Sequence, residues 1–198
     1  MAELQTDNPI GLFQQWLSDA KQTDMVEPTA MSLATATRSG MPSVRMVLLK
    51  AADERGFVFY TNLGSRKARE LDENPQAALC MHFPPLRRQV RVAGVVEPVS
   101  AEEADAYFAS RARTSRIGAW ASRQSEVMPE SYALEKRVAY FTARFAVGEV
   151  PRPEFWSGYR IVPHEIEFWV DREYRLHERI RYTRPEPAAP WQADRLFP

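Results

Sequence analysis

The sequence predicts an α+β fold in which mostly antiparallel strands close towards a barrel with helices set around it. Three features predict it. At least six short β-prone runs follow Met31, several of them separated by Gly, Pro, Asn and Asp turns too brief to carry a crossover helix. Helical patterns are confined to the N-terminus and a few connections. At 198 residues the chain is long enough for one well-buried core and short for two full domains, so residues 1–198 are expected to form a single domain.

Asn8-Pro9 supplies an N-cap with proline at the first helical position. Ile10, Phe13, Trp16, Leu17 and Ala20 recur behind it at helical spacing, as an amphipathic opening helix requires. Runs 31–37, 43–50 and 57–61, punctuated by Arg38-Ser-Gly-Met-Pro42 and Asp53-Glu-Arg-Gly56, form an antiparallel meander. A short helix follows Asn62-Leu-Gly-Ser65 and stops near Glu73, because Asn74-Pro75 disfavours helical backbone. Strands 76–82 and 87–98 come next. Ser100-Ala-Glu-Glu103 is a capping box that opens a helix to about Ser110, with Tyr107 and Arg111, four apart, on one face. The spacing then predicts a helix over 130–145, a Pro-rich link at Val150-Pro-Arg-Pro153, a hairpin over 158–182, a surface loop at 185–190 and a last strand over 191–196.

Composition narrows the function. A formal net charge of zero removes any global attraction to nucleic acid or acidic membranes, so anion sites must be local. Of the 26 basic residues only Lys21, Lys50, Lys67 and Lys136 are lysines, and the abundant guanidinium suits fixed, bidentate contact with phosphate or carboxylate. The lone Cys80, in an apolar run, excludes an intrachain disulfide and a Cys-rich metal site, and is expected to be a buried inert thiol. His82, His164 and His177 fall on separate runs without metal-ligand spacing, and there is no Gly-x-Ser-x-Gly elbow. No segment approaches the roughly 20 apolar residues of a membrane span, and none reads as a signal-peptide core. A cytoplasmic protein is expected.

Several segments could hold anions. Gly64-Ser-Arg-Lys67 stands where a loop enters a helix, so free backbone N–H groups, the Ser65 hydroxyl and two cations can converge on one anion. It matches neither a Walker loop nor a dinucleotide glycine fingerprint. Arg45 and Lys50 bracket an apolar strand and would face opposite sides unless a bulge re-aims one. Arg87, Gln89 and Arg91 alternate onto one strand face, as do Arg175, His177 and Arg179. Three cations so close repel one another and are relieved by solvent, carboxylates or a bound anion. Anion seats, many aromatics and no evident nucleophile point to chemistry carried by a bound cofactor.

Arg45-Met-Val-Leu-Leu-Lys50, Phe59-Tyr-Thr-Asn-Leu-Gly-Ser-Arg-Lys67, Arg88-Gln-Val90, Ser115-Arg-Ile-Gly-Ala-Trp-Ala-Ser-Arg-Gln-Ser125 and Arg175-Leu-His-Glu-Arg179 together resemble the pyridoxine/pyridoxamine 5'-phosphate oxidase family, in order and over nearly the whole chain. The resemblance implies an FMN-binding split barrel and a homodimer with FMN at the subunit interface. It also implies oxidation of pyridoxine and pyridoxamine 5'-phosphates to pyridoxal 5'-phosphate, with O2 reduced to H2O2. By position it implies that FMN is held by Arg45, Met46, Val47, Leu48, Leu49 and Lys50, by Tyr60 and Thr61, and by Ser65, Arg66 and Lys67. Gln89, Gln124, Ser125, Trp169 and Arg179 would complete that site, some from the other subunit. Lys50, Tyr107, Arg111 and Ser115 would meet the substrate phosphate. Arg175 and His177 would be the catalytic pair over the pyridine ring, with Leu176 between them in the substrate-binding segment. No metal is implied. Two alternatives accompany the resemblance: a phenazine-pathway FMN oxidase, against which a complete substrate-phosphate seat argues, and a non-catalytic split barrel that binds flavin or pyridoxal phosphate.

Overall fold

The computed structural model describes residues 6–198. In chain order the elements are α1 (Pro9–Lys21), β1 (Ala30–Ala36), β2 (Pro42–Leu48), β3 (Ala51–Asp53), β4 (Gly56–Asn62), α2 (Arg66–Glu73), β5 (Gln76–Phe83), β6 (Arg88–Pro98), α3 (Ala101–Ser110), α4 (Arg113–Ala121), α5 (Ala133–Arg144), β7 (Trp156–Val170), β8 (Glu178–Thr183) and β9 (Gln192–Arg195). The strands form one antiparallel sheet in the order β2-β1-β5-β6-β7-β4-β3, with β8 added to β7 and β9 to β8. The sheet curls until β2 approaches β4.

β7 is the spine. One of its edges pairs with β6 from Tyr159 to Val170, while the other is shared, Trp156–Ile161 with β4 and Glu165–Val170 with β8. Pro163 lies between the two halves, opposite the register shift at Ala93/Gly94. Proline has no N–H to give a ladder, and an irregularity is where a central strand can accept one. Gly94 is required there, because a Cβ would sit 2.1 Å from the Val162 carbonyl oxygen.

The core forms where α1 packs into the curl. Asn8 Oδ1 accepts from Gly11 N at 2.8 Å to start the helix. Ile10, Phe13, Trp16 and Ala20 are buried, with Phe13 edge-on to Phe57 at 4.9 Å and Trp16 edge-on to Phe168 at 5.0 Å. A smaller cluster of Ile117, Ala121, Phe141 and Val150 ties α4 to α5 beside the barrel. Among the described residues no helix is long and apolar enough to cross a membrane.

Several expectations need correction. The strand over 43–50 ends at Leu48, after which Leu49 N bonds to Thr29 O and Lys50 N to Val58 O; the chain changes partner there. The strand face of Arg175, His177 and Arg179 does not exist. Tyr174 and Arg175 take φ values of 56° and 61° in a tight turn, which no extended strand accommodates, and β8 starts at Glu178. Arg87, at φ 55°, likewise precedes β6, so only Gln89 and Arg91 alternate within the strand. Arg111 is extended and caps α3 rather than continuing it. α5 begins at Ala133 instead of Glu130, and α4 was not expected at all.

Gly94→Ala is expected to destabilise the protein by about 2 kcal/mol, since backbone must move to admit the Cβ. Urea unfolding checks this; an unchanged midpoint contradicts it.

Candidate functional site

Where β2 approaches β4, helices α2, α3 and α4 help to wall a cleft of about 990 Å³, at the upper end of the range for small-molecule sites. It brings together Arg45, Met46, Val47, Leu48, Lys50, Tyr60, Thr61, Arg66, Lys67, Tyr107, Arg111, Ser115, Gln124 and Ser125. The partner change after Leu48 explains how Arg45 and Lys50 reach the same cleft. Ser65 and Leu49 are buried just behind it.

The cationic end is built on the entry to α2. Ser65 is the N-cap but gives no side-chain cap; the Arg66 N–H is instead taken by Ser125 Oγ at 3.2 Å, with Ser125 held at φ 72°. Lys67, only 6% exposed, donates to Thr61 Oγ1, Ser65 Oγ and Gln124 Oε1 at 3.1, 3.2 and 3.1 Å. Neutral oxygens are all it has. Burial, followed by the nearby Arg45 charge, draws its amine down to about 8, with Glu70 opposing. Arg45 donates to Leu33 O at 3.1 Å, to Thr35 Oγ1 at 2.5 Å and to Ser43 Oγ, and its Nη2 lies 3.3 Å from Glu70.

The other end is aromatic. Tyr60 stacks on Tyr107 at 4.0 Å and on Trp156 at 5.3 Å, both nearly parallel. The Arg111 guanidinium lies 4.8 Å over the Trp156 ring. Its Nη1 is buried without a hydrogen-bond partner, and burial pulls the guanidinium below its ordinary value. A buried, unpaired donor of this kind is what a bound anion satisfies.

Gln89, Trp169 and Arg179 do not line this cleft. They stand side by side across β6, β7 and β8, in register. Arg179 is clamped on Glu167 by two hydrogen bonds of 2.9 and 3.1 Å. The His177 ring packs 4.7 Å from that of Trp169, and its Nδ1 lies 3.0 Å from Asp171 Oδ1 and 3.1 Å from Arg172 N. Arg175 and Leu176 are exposed beside it. Trp169 is thirteen positions beyond Trp156 on one strand, a separation of up to about 40 Å. The two groups are therefore separate within one chain.

The structure adds residues that sequence patterns did not single out. Asn62 fixes the α2 entry through Gly64 N and Ser122 O, Trp156 supports Arg111, and Glu70 gathers donors beneath the cationic end. Only the Arg66-to-Glu70 spacing of four could have pointed to Glu70. Among the described residues no three His, Cys, Asp or Glu side chains cluster as a metal site.

A family model described as pyridoxamine 5'-phosphate oxidase matches residues 17–145, and one described as the pyridoxine 5'-phosphate oxidase C-terminal dimerisation region matches residues 156–198. The chain belongs to this oxidase family. Curated relatives named pyridoxine/pyridoxamine 5'-phosphate oxidase include one from Maricaulis maris, 60% identical over 97% of this chain and 86% of that protein. Another, from Sinorhizobium fredii, is 56% identical over 97% and 93%. Among solved structures, PhzG from Burkholderia lata in complex with tetrahydrophenazine-1-carboxylic acid superposes with a TM-score of 0.91 at 35% identity, covering 98% of this chain and 94% of that one. A pyridoxamine 5'-phosphate oxidase-related, FMN-binding protein from Nostoc punctiforme gives 0.78 at 19% identity over 96% and 98%, a likeness of fold. The antiparallel split barrel expected from the sequence is the fold of this family, and FMN is its cofactor.

The oxidase cleft fits FMN on its donor set: a buried lysine without a carboxylate partner, two arginines and a helix entry for the phosphate, and apolar strand surface for a planar ring. A lysine holds a phosphate as the charged amine, so with Lys67 in that role affinity for FMN is expected to be full below about pH 8. Above that it falls by up to about tenfold per pH unit. Flavin-fluorescence titration between pH 7 and 10 checks this, with Lys67→Met expected to bind weakly and without that slope. A flat profile in the unaltered protein contradicts it.

Proposed function

We propose that the chain, as a homodimer, oxidises pyridoxine 5'-phosphate and pyridoxamine 5'-phosphate to pyridoxal 5'-phosphate, with O2 reduced to H2O2 and, for the amine, water displacing ammonia. One observation carries the reading. A single cleft is lined by Lys67, whose partners are neutral oxygens, and by Arg111, whose Nη1 has no partner, and two cationic groups of this kind suit a reaction between two phosphorylated planar rings. Bound FMN supplies the hydride acceptor and the route of two electrons to O2.

The protein's own part is positioning and charge. Lys67, Arg66, Arg45, Ser65 and Thr61 take the cofactor phosphate and ribityl chain. Segment 45–50, Gln124 and Ser125 flank the flavin. Arg111, held over Trp156, takes the substrate phosphate with Lys50, Tyr107 and Ser115. Gln89, Trp169 and Arg179 from one protomer complete the flavin site of its partner, and Arg175, Leu176 and His177 from that same protomer cover the partner's substrate. The distance along β7 and the family's dimerisation region at 156–198 both support this division.

The phenazine-type alternative has a specific support, the 0.91 superposition on PhzG. The buried Nη1 of Arg111, without a hydrogen-bond partner, favours a phosphorylated substrate instead. We further read residues 1–198 as one FMN-binding domain that acts in the cytoplasm, consistent with a lone cysteine whose thiol burial pushes up from its ordinary value.

Anaerobic pyridoxine 5'-phosphate is expected to bleach the oxidised flavin band, and air to restore it with release of peroxide; an unchanged band contradicts the assignment. Arg175→Leu should keep its flavin and lose turnover by about 10²-fold. Undiminished turnover in the flavin-replete variant would remove Arg175 from the site.

A further inference from the structure

Glu70 lies beneath the cationic end of the cleft, 4% exposed, on the inward face of α2. Its Oε2 accepts from Thr35 Oγ1 and Ser43 Oγ, each at 2.5 Å, and stands 3.3 Å from Arg45 Nη2. Its Oε1 accepts from Arg66 Nε at 2.8 Å. The same two hydroxyls accept from Arg45. One carboxylate thus ties an arginine of β2 to an arginine of α2, directly and through two hydroxyls.

Packing does not need this charge. Enclosing a carboxylate is unfavourable unless its lone pairs are filled, and an apolar side chain would occupy the space more simply. What the carboxylate adds is geometry and balance. Arg45, Arg66 and Lys67 all line this end of the cleft, Arg45 with its terminal nitrogens held by Leu33 O, Thr35, Ser43 and Glu70, and cations gathered there repel. With Glu70 the local charge is plus two, the complement of a phosphate dianion. Because Arg66 meets Glu70 through Nε, its terminal nitrogens remain available to a ligand. Burial pushes the Glu70 carboxyl up, yet the hydrogen bonds from Ser43, Thr35 and Arg66 and the Arg66 charge outweigh it and hold it at about 2, so the anchor is charged at any working pH.

We infer that Glu70 is a positioning residue that fixes Arg45 and Arg66 as a preformed phosphate seat, and thereby sets the preference of the protein for FMN over riboflavin, the same ring without the phosphate. The inference rests on the reading of the cleft as the FMN site. Glu70 acts through the arginines and does not touch the cofactor. Preorganisation of this kind raises affinity by sparing the ordering of two long side chains on binding.

The test is titration of apoprotein with FMN and with riboflavin, followed by fluorescence quenching, for the unaltered chain and for Glu70→Gln. Glutamine keeps the shape but turns an N–H2 towards donors. The ratio of the two affinities is expected to fall by about tenfold or more in Glu70→Gln through weaker FMN binding, with riboflavin binding unchanged. A merely structural role would weaken both ligands together, and that result, or an unchanged ratio, overturns the inference. Should Glu70→Gln fail to fold, Glu70→Asp keeps the charge but is one methylene too short for both arginines. Its ratio is expected to fall severalfold below that of the unaltered chain, and a ratio equal to that of the unaltered chain overturns the inference. If the unaltered chain itself shows no preference for FMN, the cleft reading fails and takes the inference with it.

Discussion

Everything in this molecule depends on the pairing of β7 along both its edges. Along its fifteen residues it pairs with β6 from Tyr159 to Val170 on one side and divides the other between β4 and β8. The first half places Trp156 beside Tyr60 and so builds the cleft, while the second places Trp169 between Gln89 and Arg179. A strand is stiff, and one this long holds its two ends too far apart to share a ligand. The irregularity at Gly94 and Pro163 lets the two halves serve different neighbours without breaking the sheet.

The cleft concentrates charge that a neutral chain otherwise disperses. Most arginines outside it are answered by a carboxylate, as Arg179 is by Glu167 and Arg160 by Asp53 and Glu103. Lys67 and Arg111 are not. Buried cations without carboxylates are unfavourable in the empty protein, and a bound phosphate removes that penalty. Relief of that penalty adds to the affinity for an anionic ligand.

Much of this was legible in the sequence, for local reasons. Asn8-Pro9 and the Ser100 capping box carry their own hydrogen-bonding logic, and both helices start where they say. The meander strands announce themselves by turn residues. α4 was not legible, since Thr114, Ser115 and Gly118 are weak helix formers and the segment is helical through its packing on α5. β3, of three residues, is too short to pattern. The left-handed Tyr174 and Arg175 could not be foreseen, because neither residue type favours that conformation and only the surrounding fold imposes it. The cleft residues were named by resemblance, but their division into two groups along β7, and the role of Glu70, follow only from the tertiary structure.

Mixed dimers test the central claim, that each active site takes its cleft from one protomer and its Arg175 to Arg179 segment from the other. Differently tagged Lys67→Met and Arg175→Leu chains, each strongly impaired as a homodimer, are co-expressed and the heterodimer isolated. If the half-sites meet across the interface, one of its two sites carries both lesions and the other none. The heterodimer then regains about half the turnover of the unaltered dimer. If both half-sites belong to the same chain, every site carries one lesion, and a heterodimer as impaired as its parents contradicts the account.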